Sequence, residues 1–260
     1  MDSSWRTILI ATWFNLLFEY SMRGINNLLV QPLLPIVLVT VYFTLFTMLE
    51  DLIVRFRLRD YHLMVAALFF GTAYQFLVSG TAILPPMMLG VNWGHLLFVV
   101  VIWWGILQSI MTFYIANRLA PRDWNHRKLS KVGWATALFF NGLMVLLFQL
   151  SRAIPRATIS QIIIMGIIMA SSALIFRQTL PSENEHASPI SFNQSVLLDI
   201  LSALTMVIFF ICAVFLTFDP IKAYTSNVNA TSTAIVVRWT TILALIVLVY
   251  RFYSKRPISV

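Results

Sequence analysis

Eight apolar runs, each about as long as a membrane is thick, take up most of this 260-residue chain. A helix needs about 20 mostly apolar residues to cross the hydrocarbon core of a bilayer. The runs lack the polar–apolar alternation of membrane β-barrel strands. The sequence therefore predicts an all-α, polytopic integral membrane helix bundle of about eight transmembrane helices, forming a single transmembrane domain over residues 1–260. The predicted helices are Trp5–Met22, Ile36–Val54, Tyr61–Ser79, Asn92–Leu119, Val132–Leu150, Thr158–Phe176, Val196–Phe218 and Ala234–Tyr253.

The composition argues against a soluble globular domain. Hydrophobic residues make up 59% of the chain and charged residues only 11%, whereas soluble domains carry roughly 25% charged residues. So few charged side chains cannot cover a globular surface, and the solvent that fits this chain is lipid.

Basic residues lie mainly on one side of the predicted membrane. When the runs are taken to alternate in direction, 13 of the 18 Lys and Arg residues fall on the side of the N-terminus and four on the other. Cytoplasmic loops are enriched in Lys and Arg, so we expect both termini to be cytoplasmic. We also expect a multi-pass protein of the plasma membrane, in a bacterium or archaeon. The net charge of +8 lies in short loops, which favours contact with membrane lipids rather than with nucleic acid.

Polar residues recur on one face of the first predicted helix. Asn15, Glu19 and Arg23 are spaced by four residues, and that spacing places them on one side of an α-helix. An ionisable group at the centre of a membrane helix costs roughly 2.5–3.5 kcal/mol on insertion scales, so such groups often mark functional sites. The alternative is an ion pair within the helix that lets its end lie near the headgroups.

Other polar residues are predicted at the same depth as Glu19. Asn92 and His95 open the fourth helix, and Arg238 lies near the start of the eighth. If these side chains converge, they form a polar pocket open to the outer face, and its arginines favour an anionic headgroup or solute. The alternative is that helix ends are more polar than helix centres in any bundle.

Charged residues also cluster where the second helix meets the inner face. A surface that docks a cytoplasmic partner and a solvated surface of ion pairs are both compatible with this pattern. The residues of this cluster are Glu50, Asp51, Arg55, Arg57 and Arg59.

Motifs for several kinds of chemistry are missing. The chain has no GxxxxGK[ST] sequence and so no P-loop. His62 and His95 are predicted on opposite sides of the membrane, where they cannot share a metal or a haem. We therefore expect no metal and no cofactor, and an enzyme is the less favoured interpretation.

Three functions remain. The first is transport, or lipid or solute handling, through the outward-facing polar pocket. The second is a non-catalytic subunit of a larger complex with other membrane subunits as partners. The third is an intramembrane hydrolase or transferase using Glu19 and His95, which requires the two side chains to lie within about one water molecule of each other.

Overall fold

A computed structural model describes residues 3–122, 124, 129–151, 156–180, 195–216, 229–255 and 258. These residues form nine helices. Eight of the nine have 18 residues or more, and each of these eight overlaps one of the predicted apolar runs. Residues 217–218, at the end of the predicted seventh helix, lie outside the described residues. The helices are α1 Ser3–Arg23, α2 Asn27–Val30, α3 Leu34–Phe56, α4 Asp60–Leu77, α5 Trp93–Leu119, α6 Lys131–Ser151, α7 Ile159–Thr179, α8 Val196–Val214 and α9 Ala230–Ser254.

Six of these helices are long and apolar enough to cross a membrane: α3, α5, α6, α7, α8 and α9. The two remaining long helices, α1 and α4, are less apolar. No β-strand occurs in the part of the chain that the structure describes, where the one extended contact is an isolated bridge between Met88 and Val91. The prediction of an all-helical chain is therefore confirmed for the described residues, and six candidate spans, rather than the eight predicted, support a multi-pass membrane protein.

One end of the bundle, which we call the basic end, holds many of the described arginines. Contacts between distant helices show which termini meet there. Arg251 at the end of α9 donates to Asp60 at the start of α4 (2.9 Å). Tyr114 near the end of α5 donates to Asp199 near the start of α8 (2.7 Å). The basic residues of this end include Arg55, Arg118, Arg122, Lys131 and Arg251.

Contacts at the opposite end tie helix termini to loops. Gln149 of α6 donates to the carbonyl oxygen of Leu77 at the end of α4 (2.7 Å). Gln161 of α7 donates to the carbonyl oxygen of Gly90, just before α5 (2.6 Å). Long helices therefore alternate in direction through the bundle.

Helix α5 is the central element. It packs against α1, α4 and α9, and 72% of its membrane-spanning stretch is buried. Residues Phe98–Met111 form a π-helix, a rare conformation that is often found at functional sites.

Helices α6 and α7 lie at the perimeter. Only 6% and 11% of their membrane-spanning stretches are buried, and large apolar side chains such as Phe139 (65% exposed) and Ile163 (57% exposed) point outward. A continuous apolar exterior of this kind is incompatible with water. The perimeter therefore fits a lipid environment.

Candidate functional site

Helices α1 and α5 pack antiparallel in a register that two hydrogen bonds define. The Thr7 hydroxyl donates to the carbonyl oxygen of Ala120 (3.3 Å), and Asn15 Nδ2 donates to Thr112 Oγ1 (3.0 Å). From the first contact to the second, the chain advances eight residues along α1 and goes back eight residues along α5, as expected for antiparallel helices. One turn further on, this register places Glu19 level with Gln108.

At that level a hydrogen-bonded chain links three helices. The Tyr42 hydroxyl of α3 donates to Glu19 Oε1 (2.6 Å) and accepts a hydrogen bond from Gln108 Nε2 of α5 (3.0 Å). Arg23 Nε donates to the other carboxylate oxygen, Glu19 Oε2 (3.3 Å). We call these four residues (Glu19, Arg23, Tyr42 and Gln108) the Glu19 centre.

The Glu19 centre keeps a buried carboxylate satisfied. Glu19 is 9% exposed, and an ionised carboxylate buried to this degree needs an opposite charge or charge-assisted hydrogen bonds. Arg23 supplies the charge, and Tyr42 supplies a short hydrogen bond. Tyr74 of α4 lies near both charged groups and packs its ring on Trp104 (5.2 Å between centroids), so a fourth helix borders the site.

Asn15 adds an unused hydrogen-bond acceptor one turn from Glu19. Its Nδ2 donates to Thr112 and to the carbonyl oxygen of Ala11 (2.9 Å). Its Oδ1 is buried without a hydrogen-bond partner. Buried polar atoms are nearly always hydrogen-bonded, so this oxygen is available to a water molecule or to a donor group of a ligand.

The structure brings together the three predicted residues of α1 but not the other members of the predicted outer pocket. Asn92 instead caps α5. Its Oδ1 accepts from the backbone N–H of His95 (3.1 Å), and its Nδ2 donates to the carbonyl oxygen of Leu84 (3.2 Å). This is the usual role of an asparagine at a helix N-terminus.

His95 lies in a different layer from Glu19. It is 13 residues along α5 from Gln108, a separation of roughly 15–20 Å at a rise of about 1.5 Å per α-helical residue and less in the π-helix. The imidazole is half-buried and makes no hydrogen bond with the described residues. The geometry therefore does not support a hydrolase or transferase that uses Glu19 and His95 together.

Arg238 is exposed on α9 and forms no ion pair with any residue that the structure describes. The Glu19 centre consequently contains one carboxylate and one guanidinium rather than an excess of arginine. The expectation that several arginines line one pocket and attract an anion is not met there, because depth in the membrane does not fix the direction in which a side chain points.

At the basic end, Glu50 is buried against a loop arginine. Arg122 Nε and Nη2 donate to Glu50 Oε1 and Oε2 at 2.6 and 2.7 Å, and the side chains are 0% and 1% exposed. The guanidinium also lies over the rings of Phe113 (5.8 Å) and Trp124 (5.3 Å). This two-pronged geometry is the strongest form of Arg–carboxylate pairing.

Asp51 is used in the same way. Its carboxylate accepts from Arg55 (2.8 Å), from the backbone N–H of Leu129 (2.6 Å) and from Trp134 Nε1 (2.9 Å). Glu50 and Asp51 thus fasten α3 to the segment between α5 and α6. They leave no carboxylate surface for a cytoplasmic partner.

The three arginines of the predicted inner-face cluster are more accessible. Arg55 has a side chain 33% exposed, Arg57 lies over the Trp124 ring (5.3 Å), and Arg59 is exposed. A docking surface formed by these three arginines would therefore be basic.

Sequence reasoning missed Tyr42 and Gln108. Gln108 carried a usable signal, because it is the one strongly polar residue within the apolar stretch Phe98–Met111. Tyr42 carried none, since a tyrosine in a membrane helix is ordinary. Among the described residues, no group of three His, Cys, Asp or Glu side chains could hold a metal ion.

No protein-family model, no curated protein and no solved structure matches this chain.

Proposed function

We propose that this chain is a transport protein of the plasma membrane with eight transmembrane helices and cytoplasmic termini, in which the Glu19 centre binds the transported solute or a coupling proton. The observation that carries the proposal is the Glu19 carboxylate, 9% exposed and shared between Tyr42 and Arg23 in the interior of the bundle. Ionisable groups retained inside a membrane protein usually serve ion or substrate pathways.

The orientation rests on the charge bias of the sequence. The basic end takes the cytoplasmic side, and α1 begins and α9 ends there. Some of the basic residues behind this bias lie outside the described residues: Arg127, Lys128, Arg152, Lys222 and Arg256.

Arg23 is placed to compete with a proton or a cationic solute for the Glu19 carboxylate. It lies one turn from Glu19 toward the opposite end, and its side chain is 19% exposed. A proton or a cationic group that reaches Glu19 weakens the attraction between this carboxylate and Arg23. Tyr42 and Gln108 then keep the carboxyl group hydrogen-bonded during the exchange.

Water access to the interior tests the proposal without knowledge of the solute. In a Cys212→Ala background, Asn15→Cys places a thiol beside the Glu19 centre. A small impermeant cationic thiol reagent is applied to proteoliposomes from each side. A transport pathway predicts labelling of this position from both sides, because the site must open alternately to each compartment.

Two positions serve as controls. Leu29→Cys, 85% exposed, should react fully, and Ala244→Cys, 0% exposed within α9, should stay unreacted. If Asn15→Cys behaves like Ala244→Cys from both sides, transport through the Glu19 centre is wrong.

A second function has one observation in its favour. Helices α6 and α7 bury only 6% and 11% of their membrane-spanning stretches, and membrane helices of a subunit commonly bury a further face against a partner. A non-catalytic subunit of a larger membrane complex fits this feature. Purification in a mild detergent distinguishes the two functions. A subunit should co-purify with a stoichiometric partner, and bulky substitutions on α6 or α7 should remove that partner. A stable monomer would exclude the subunit function.

A further inference from the structure

A groove of about 510 Å³ lies between α3 and α6 and is separate from the Glu19 centre. One wall comes from α3, the other from α6, and Trp5 of α1 contributes to one end. We call it the α3–α6 groove. Its lining residues are Trp5, Val39, Thr40, Phe43, Thr44, Thr47, Leu129, Val132, Gly133, Thr136, Ala137 and Phe140.

The walls present a hydrocarbon-like surface despite their threonines. The hydroxyls of Thr40, Thr44 and Thr47 donate to carbonyl oxygens of their own helix at 2.6–2.8 Å, so their hydrogens are already used. The Trp5 ring stacks on Phe43 with 5.7 Å between centroids and 7° between planes. Such a surface favours an apolar occupant.

The length of the groove matches one leaflet. From Val132 to Phe140 its helical wall covers eight residue steps, or about 12 Å at the rise of an α-helix, and Leu129 extends the wall further toward the basic end. Half of the hydrocarbon core of a bilayer measures about 15 Å. The groove begins at the basic end, so an acyl chain of the leaflet on that side can lie along it.

Two cations flank the same end of the groove. Arg6 follows the lining residue Trp5, and Lys131 precedes the lining residue Val132. Both are exposed, and neither forms an ion pair with a described residue. By contrast, Arg55, which lies at the same end, is paired with Asp51. Within the part of the chain that the structure describes, no carboxylate neutralises Arg6 or Lys131, so both can interact with an anionic group of the membrane.

We propose that the α3–α6 groove binds an anionic phospholipid, with one acyl chain in the groove and the phosphate between Arg6 and Lys131. The apolar walls select a lipid chain, the length places it in one leaflet, and the two exposed cations, which pair with no described carboxylate, select a negative headgroup. This site is independent of the Glu19 centre, so either proposal can fail alone.

Native mass spectrometry of the detergent-purified protein tests the site, with dioleoyl phosphatidylglycerol and dioleoyl phosphatidylcholine as probes. The unmodified chain should retain one phosphatidylglycerol in preference to phosphatidylcholine. Replacing both cations (Arg6→Gln with Lys131→Gln) should weaken phosphatidylglycerol binding roughly 25-fold, because each basic residue near an anionic headgroup contributes about fivefold. Filling the groove with Thr136→Trp should remove the bound lipid of either kind.

Matched controls separate this site from general membrane affinity. Arg177→Gln removes an exposed charge from the end of α7, and Leu138→Trp adds bulk to α6 at a 52% exposed position outside the groove. Both should leave phosphatidylglycerol binding unchanged, and circular dichroism should report the same helix content for all variants. Equal retention of the two lipids, equal loss in test and control variants, or a lipid-free dimer would each overturn the proposal.

Discussion

The two ends of the bundle are held together by different kinds of contact. At the basic end, four carboxylates each pair with an arginine, and three of those pairs join separate segments of the chain. At the opposite end, the ion pair among the described residues is Glu19–Arg23, which lies within one helix. The pairs of the basic end are Glu50–Arg122, Asp51–Arg55, Asp60–Arg251 and Asp199–Arg118.

At the Glu19 centre and at the end of the bundle opposite the basic end, hydrogen bonds from neutral side chains connect the helices. Gln108 bonds to Tyr42 across helices, and Gln149 and Gln161 bond to backbone carbonyl oxygens. Separating a buried ion pair leaves an uncompensated charge, whereas a neutral hydrogen bond contributes only about 0.5–1.5 kcal/mol net. The comparison therefore predicts that the basic end stays fixed while the opposite end can open.

The strongest test of this comparison is Glu50→Gln. The change removes the negative charge from the buried pair of Glu50 and Arg122, so we expect the free energy of unfolding to fall by about 3–5 kcal/mol. Equilibrium unfolding in mixed detergent micelles measures the loss. The double variant Glu50→Met with Arg122→Met should recover most of it, since neither charge then remains buried. A loss below that of Tyr42→Phe would contradict the comparison.

At the Glu19 centre, Tyr42→Phe should be the costly change. It removes the hydroxyl that donates to Glu19 and accepts from Gln108, while the ring stacked on Phe46 (5.9 Å) is kept. Two buried groups lose a partner, so we expect a loss of about 1–3 kcal/mol in unfolding free energy. The same substitution at the 37% exposed Tyr61 is the control and should change stability little.

A smaller effect is expected from Gln149→Leu at the opposite end. This variant deletes the hydrogen bond from α6 to the Leu77 carbonyl oxygen, and the expected loss is about 0.5–1.5 kcal/mol. Hydrogen exchange of the backbone around Leu77 should quicken. Gln178→Leu, at an exposed position, is the control and should leave this exchange unchanged. Equal exchange in both variants would show that the hydrogen bond from Gln149 to Leu77 does not keep the opposite end closed.

Asp199→Asn should have the smallest effect, although it breaks an ion pair at the basic end. The side chains of Asp199 and Arg118 are both 34% exposed, and solvent-exposed pairs contribute little to stability because water screens their attraction. The difference from the unmodified chain should shrink further at high salt, which screens exposed charges. If Asp199→Asn lowers the free energy of unfolding as much as Glu50→Gln does, the number of ion pairs rather than their burial stabilises the basic end.

Much of the helical framework could be predicted from the sequence because a membrane helix needs a run of apolar residues of known length. The grouping of Asn15, Glu19 and Arg23 followed from the helical repeat alone. The partners of Glu19 did not, because Tyr42 and Gln108 reach it only through the order in which α1, α3 and α5 pack.

Glu50 and Asp51 show the same limit at the basic end. Their sequence neighbours suggested a surface of exposed charges, but Glu50 pairs with Arg122, 72 residues away. Burial of a carboxylate is decided by whether a distant cation can be placed beside it with good geometry, and only the packed structure supplies that distance.

The sequence by itself determined how far each polar residue lies from the ends of its own helix. It did not determine which residues of different helices share a depth, since His95 was predicted level with Glu19 and lies in a different layer. The tertiary structure decided the direction. Glu19 and Arg238 were predicted at similar depth, yet Glu19 points into the bundle and Arg238 points out of it. The rotation of a helix about its axis depends on which neighbours it packs against, and no single segment carries that information.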